Sequence, residues 1–370
     1  MHSSTHLHSP SVRRSALATA FVALVLLLLL VGSTPPADAN PPFVVDVVTG
    51  IDYNGSPGTA LDLYVPDFPG QAKLPLLIWT NGCAWLVVSC GRAGTPGIAQ
   101  EFNPRGYAVA GVGISGTLPP PVGSLRSFPT QLHDIRAAIR WLRQHAADYG
   151  LDKRRFAIMG FSSGGWTSVI AGTTSDEAQL PGEPDTNGLS NGVSSSVQAV
   201  VGFSSPTDFL QMNQWYVDHP NVISFINHDA PLAPLAPPWF FPAASPESLL
   251  VGCTDSNGNL LGIQTCPAET QAANPISYVD GKEVPMLLLH GENDSLVPNG
   301  QSKLLYDALA AARSEVTFTS VAGAGHSPQQ IRDGENFTVY HTNPRGRETI
   351  KNKPAPTWEN IEHFIHVAVR

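Results

Sequence analysis

The sequence predicts a three-layer α/β architecture: a mostly parallel central sheet with helices packed on both faces. Three observations carry this. Short apolar runs bounded by Gly, Pro and Asn alternate along the chain with segments of helical periodicity. One of those runs leads through a glycine-flanked serine directly into a helical segment. The composition fits a packed domain: of 370 residues, 42% are apolar and only 14% charged, while 33 Gly and 33 Pro supply turns. Such a chain is too apolar to be disordered. With 21 Lys plus Arg against 30 Asp plus Glu, its net charge of -9 argues against nucleic acid or anionic lipid as a partner.

Residues 1–39 are expected to lie outside the fold. Arg13 and Arg14 precede an uncharged run from Ala16 to Val31, and Ala37-Asp38-Ala39 follows a small, polar stretch. That order describes a secretory signal peptide cleaved after Ala39, with export as the consequence. The rival, a membrane anchor, needs about 20 apolar residues, and the run falls short of that. Cleavage removes Arg13, Arg14 and Asp38, leaving 19 basic and 29 acidic residues and a net charge of -10. No later stretch resembles a membrane span. Residues 40–370 are then one domain.

The elements follow in order. Val44 to Val48 and the alternating Leu61, Leu63 and Val65 read as an antiparallel pair of strands. Leu76–Trp79 and Tyr107–Val112 read as buried strands. Gln131 to Tyr149 reads as a helix with Leu132, Ile135, Ile139 and Leu142 on one face, stopped by Gly150. Arg155–Met159 is a strand, and a helix opens by Trp166. Val197–Phe203, Met286–His290 and Val316–Val321 are further buried strands, with a helix from Ser302 to Ala312 between the last two. The chain ends in an amphipathic helix carrying Ile361, Phe364, Ile365 and Ala368. Asp176 to Ser196 reads as a loop, and 328–357 as a polar insertion without an assigned role. A Pro- and aromatic-rich insertion at about 211–247 is long for a loop, which fits a lid or a pocket wall.

Four cysteines, Cys83, Cys90, Cys253 and Cys266, form an even set in an exported chain. Three pairings are possible; the local one, Cys83–Cys90 with Cys253–Cys266, is the most economical. No Cys/His spacing of a zinc site is present, and neither metal nor cofactor is expected.

Gly160-Phe161-Ser162-Ser163-Gly164 matches Gly-x-Ser-x-Gly between a strand and a helix. Ser162 is the serine in register, because Ser163 would need glycine where Phe161 stands. A serine hydroxyl is a poor nucleophile without a general base, and the base needs an acid to fix its tautomer. In a strand–serine–helix fold the chain order is Ser, then acid, then His. His326 lies in a small-residue loop, Ala322-Gly323-Ala324-Gly325-His326-Ser327, just after a strand. Asp294 lies in the loop after the preceding strand, with Glu292 as the rival acid. His290 ends a strand and suits structural hydrogen bonds; His363 and His366 fall on the last helix, away from the pattern.

At this point the chain resembles secreted α/β-hydrolase serine esterases. It is most similar to the group of bifunctional feruloyl and acetyl-xylan esterases (BD-FAE-like) and to the hormone-sensitive-lipase-like carboxylesterases. Four blocks carry the resemblance: DIRAAIRWLRQHAADYGLDKRRFAIMG (134–160) running into FSSGG, GFSSPTDF (202–209), ANPISYVDGKEVPMLLLHGENDSLVP (273–298) and GAGHS (323–327). The resemblance implies Ser162 as nucleophile, Asp294 as acid and His326 as base. One block departs from the family, which has His-Gly-Gly-x-Trp after the third strand. Here it is Asn81-Gly82-Cys83-Ala84-Trp85. By analogy, the backbone N–H groups of Cys83, Ala84 and Ser163 form the oxyanion hole. Trp85, Trp215 and Trp239 are candidate pocket residues for a small-molecule or polysaccharide-linked ester. The acyl and alcohol specificity and the oligomeric state are left open. Two rivals share these features: a prolyl-oligopeptidase-like peptidase, which usually carries a large N-terminal propeller, and a binding protein that kept the fold but not the chemistry.

Overall fold

The computed structural model describes residues 43–370 except 57, 69–72, 119, 121–122, 176–179, 181, 184–191 and 223–244. The expected signal segment 1–39, Trp239 and most of the expected insertion lie outside the described residues.

Ten strands form one sheet: β1 (Val44–Ile51), β2 (Leu61–Asp67), β3 (Leu74–Thr80), β4 (Ala108–Val112), β5 (Leu151–Phe161), β6 (Ala199–Phe203), β7 (Met286–Gly291), β8 (Val316–Val321), β9 (Phe337–Thr342) and β10 (Glu348–Lys351). Their order is β1-β2-β4-β3-β5-β6-β7-β8-β9-β10. β4, β3, β5, β6, β7 and β8 run parallel. An antiparallel pair closes each edge.

Between the strands lie α1 (Thr95–Phe102), α2 (Thr130–Gln144), α3 (Ser163–Thr173), α4 (Met212–Asp218), α5 (Pro246–Val251), α6 (Pro267–Ala272), α7 (Gly300–Ala311), α8 (Pro328–Arg332) and α9 (Trp358–Ala368). The period of two along a strand sends alternate side chains to opposite faces, and two cores result. Leu76, Ile78, Phe156, Ile158, Met286 and Leu288 join Ile135 and Ile139 of α2, Trp166 and Val169 of α3, and Leu305 and Leu309 of α7. Leu77, Trp79, Ala157, Met159, Leu287 and Leu289 join Ile98 and Phe102 of α1 and Ile361 and Ile365 of α9. This is the expected three-layer sandwich, the α/β-hydrolase fold. Full burial of Ile361 and Ile365 contributes about 1.5–3 kcal/mol each, which is what docks the last helix.

The end of α2 and the region 328–357 depart from expectation. α2 ends at Gln144, not Tyr149, because the chain must reverse into β5. There, the N–H groups of Asp148 and Leu151 donate to the carbonyls of His145 and Ala146 instead of continuing the helical ladder. The region 328–357 contains a strand pair, β9 and β10, that widens the sheet. Phe337, Val339 and His341 alternate with Thr338, Tyr340 and Thr342, and Gly346 turns the chain back through its N–H to the Asn343 carbonyl.

Candidate active site

The site is assembled at the carboxyl ends of β3, β5, β7 and β8. β5 runs straight into α3, and the only residue between them is Ser162, at φ 59° and ψ -124°. A non-glycine residue in that region is strained, by about 1–3 kcal/mol. The surroundings hold it there: its N–H donates to the Phe203 carbonyl at 2.9 Å and its carbonyl accepts from Trp166 N–H at 2.9 Å. The turn also needs glycine at 164, since a Cβ there would lie 2.0 Å from the Thr80 carbonyl oxygen.

His326 follows β8, and its Nε2 stands 2.9 Å from Ser162 Oγ. Its Nδ1 donates to Asp294 Oδ2 at 2.7 Å. The ring lies against Phe161, centroids 4.6 Å apart, with 11% of the side chain exposed. The two loops that carry the pair are stitched together: Asn293 N–H donates to the Ala324 carbonyl and Glu292 N–H to the Val321 carbonyl, both at 2.9 Å.

Asp294 is fully buried. Its Oδ1 accepts from the N–H groups of Leu296 and Val297, each at 2.9 Å. Its Oδ2 also lies 3.3 Å from His290 Nε2. Burial alone would raise this carboxyl, but the charge of His326 and hydrogen bonds from His290 and His326 hold it well below the usual carboxylate range. His290 has the structural role its position indicated: Nε2 meets the Val297 carbonyl at 2.9 Å and Nδ1 meets Ser302 Oγ at 2.8 Å. Its approach to Asp294, and the Tyr216 hydroxyl donating to the Asp294 carbonyl at 3.2 Å, are contacts the sequence did not reveal. Glu292 faces elsewhere, accepting from Ser320 Oγ at 2.9 Å. His363 and His366 are exposed on α9.

The loop after β3 lies directly on the serine turn. A Cβ on Gly82 would come within 2.4 Å of Ser162 Cβ, so only glycine fits. The next residues form a tight turn: Leu86 N–H donates to the Cys83 carbonyl at 3.1 Å, with φ 56° at Ala84 and 59° at Trp85. Positive φ at both central residues marks a type I′ turn, which favours Asn-Gly, not Ala-Trp. One expected donor needs correction. The Cys83 N–H is already taken by Ser163 Oγ at 2.9 Å, because Gly82 lets the loop settle onto the first turn of α3. Among the described residues the N–H groups of Ala84 and Ser163 have no acceptor.

Disulfides join Cys83 to Cys90 and Cys253 to Cys266, with Cα separations of 6.2 and 6.0 Å. Of the candidate pocket residues, Trp85 is 4% exposed and packs edge-on to Trp166 and Phe209 in the main core. Trp215 stacks on His219 and lines a cavity of about 680 Å³ with Glu292, Asn293, Asn299 and Lys303, beside the Asp294 loop. The block 202–209 supplies a joint and no reacting group: N–H groups of Thr207 and Asp208 donate to Gln301 Oε1 at 2.8 and 2.7 Å, fixing α7 behind the acid loop. No helix among the described residues is long and apolar enough to cross a membrane.

A sheet of this topology, with serine at the strand-to-helix turn and acid and histidine on the two following loops, defines an α/β-hydrolase. Within that class the chain belongs to the BD-FAE family, whose model matches residues 61–309. Two curated relatives come from Mycobacterium tuberculosis. Esterase LipC is 25% identical over 74% of this chain and 58% of its own length. Esterase LipQ is 24% identical over 71% of this chain and 52% of its own. The chain thus spans about half the length of the curated relatives it matches. Among solved structures, a truncated carbohydrate esterase from gut microbiota superposes with a TM-score of 0.65 at 24% identity, covering 90% of this chain and 99% of that one. A bifunctional GH43-CE of Bacteroides eggerthii gives 0.61 at 25% identity, covering 88% and 35%.

Proposed function

We propose that the chain is a secreted serine carboxylic-ester hydrolase acting on small-molecule or polysaccharide-linked esters through an acyl-enzyme. The observation that carries this reading is the continuous hydrogen-bond chain Ser162–His326–Asp294, with the serine held at a strained turn. Ser162 Oγ attacks the ester carbonyl carbon while its proton passes to His326 Nε2. Asp294, ionised and buried, fixes the Nδ1–H tautomer and stabilises the imidazolium. The Ala84 and Ser163 N–H groups receive the oxyanion. His326 then protonates the leaving alcohol, and water repeats the steps to free the acid. The polysaccharide side of the proposal draws on a structural neighbour named a carbohydrate esterase. Export draws on residues 13–39, and the mature chain would begin at Asn40.

The test is hydrolysis of p-nitrophenyl acetate together with labelling by a fluorophosphonate probe. Wild-type chain turns over the ester and is labelled, and Ser162→Ala does neither. Folded wild-type chain inert to both would overturn the reading. A panel of acetyl, butyryl, octanoyl and feruloyl esters, with acetylated xylan, then assigns the substrate.

A further inference from the structure

The second serine of Phe161-Ser162-Ser163-Gly164-Gly165 has a buried hydroxyl that the mechanism above does not use; only its backbone N–H enters. That hydroxyl reaches across to the opposite loop, accepting the Cys83 N–H at 2.9 Å. Each remaining group of Cys83 is also tied. Its carbonyl accepts from Leu86 N–H, and its sulfur is bonded to Cys90. The next residue, Ala84, sits at φ 56°, where a residue with a side chain does not stay without restraint. The peptide between Cys83 and Ala84 carries the Ala84 N–H. Relaxation of Ala84 to negative φ would rotate that peptide and re-aim its N–H.

We propose that the Ser163 hydroxyl is a positioning residue: by anchoring Cys83 it holds the strained Ala84 turn in the orientation that presents the Ala84 N–H to the oxyanion. The proposal rests on the ester-hydrolase reading and refines it. Ser163 acts on both sides of the pocket, through its own N–H and, by its side chain, through the loop opposite. The anchored residue, Cys83, is also the one that stands where the family pattern has its second glycine.

The experiment compares wild type, Ser163→Ala and Ser163→Thr on p-nitrophenyl acetate. It adds the inhibition constant of a trifluoromethyl ketone, which forms an oxyanion on the nucleophile. Losing an oxyanion donor costs about 10²- to 10³-fold, and misplacing one costs less, so Ser163→Ala is expected to lower kcat about 10- to 100-fold. KM stays within about twofold, and the ketone weakens by the same factor as kcat. Ser163→Thr restores most of kcat, because it keeps the hydroxyl. An active wild type with kcat unchanged or raised in Ser163→Ala overturns the inference and leaves the ester-hydrolase reading standing. So does a loss confined to KM, or one that threonine does not rescue. An inert wild type overturns both.

Discussion

Asp294 shows how much of the chemistry rests on single atoms. Its two oxygens divide the work: Oδ1 is held by two backbone N–H groups, and Oδ2 faces His326 and His290. An amide at this position puts an NH₂ group opposite a ring N–H or a backbone N–H, and the imidazole tautomer is lost. Asp294→Asn is therefore expected to lower kcat by about 10⁴-fold and to lower thermal stability as well, since the buried carboxylate's charge-assisted hydrogen bonds are lost. Glu292→Gln, whose carboxylate meets only Ser320 among these partners, is expected to stay within about twofold of wild type. Steady-state kinetics on both variants checks the assignment, and the opposite ranking would move the acid to Glu292. His290→Ala differs in kind. It empties a fully buried site and strips a partner from Asp294, Ser302 and Val297. Loss of stability, seen as a lower unfolding midpoint, should accompany any loss of rate.

At the scale of elements, two backbone approaches make the site possible, and each allows only glycine. Gly164→Ala drives a Cβ into the Thr80 carbonyl, and Gly82→Ala drives one into the Ser162 side chain. Neither contact can yield without moving a strand end, so both variants are expected to lose most activity, and Gly164→Ala also several degrees in melting temperature. A third element-level effect depends on pH. Asp134 on α2 accepts from Asn54 Nδ2 and Ser115 N–H, each at 2.8 Å, joining α2 to the loop after β4. Burial, only partly offset by those bonds, pushes its carboxyl up to about 6 from the ordinary 3.8. Between those values the folded chain holds a proton that the unfolded chain has released, so stability falls as pH rises through about 4 to 6 and levels off above. The shift corresponds to about 3 kcal/mol. Urea midpoints measured across that window should decline in wild type, and the decline should be shallower in Asp134→Asn. Equal slopes would remove Asp134 as the cause.

The whole molecule explains which parts of this were legible. The parallel core strands are continuous apolar runs, and the serine turn follows one of them, so both could be read from β5 and Gly160–Gly164 alone. The candidate acid and base could be picked out because chain order and loop position narrow the choice once Ser162 is placed, and the structure brings Asp294 and His326 into one hydrogen-bond chain with it. The strand pair β9 and β10 was hidden by its Thr, His, Glu and Lys side chains, which suit a sheet edge exposed to water. α1 was hidden by Pro96 and Gly97 in its first turn. The engagement of Cys83 N–H by Ser163 depends on a contact between positions 80 residues apart, which no local pattern encodes.

The two disulfides fit the proposed export of the chain, and their places in the fold predict different consequences of losing them. Cys253–Cys266 closes the 13-residue segment between α5 and α6, and neither cysteine belongs to the loops that carry Ser162, Asp294 and His326. Closing a loop of that length restricts the unfolded chain by about 3 kcal/mol, so Cys253→Ser with Cys266→Ser is expected to lower the melting temperature by roughly 4 °C and leave kcat within about twofold. Cys83–Cys90 spans only 7 residues, so its entropic share is smaller, but it ties the turn that carries the Ala84 N–H. Cys90→Ser should therefore cost rate more than stability. Measuring kcat and melting temperature for both variants, each made in an oxidising compartment, separates the two roles. If the 253–266 pair governed rate and the 83–90 pair only stability, the turn at Ala84 would not depend on its bridge, and the anchor at Ser163 would carry that restraint alone.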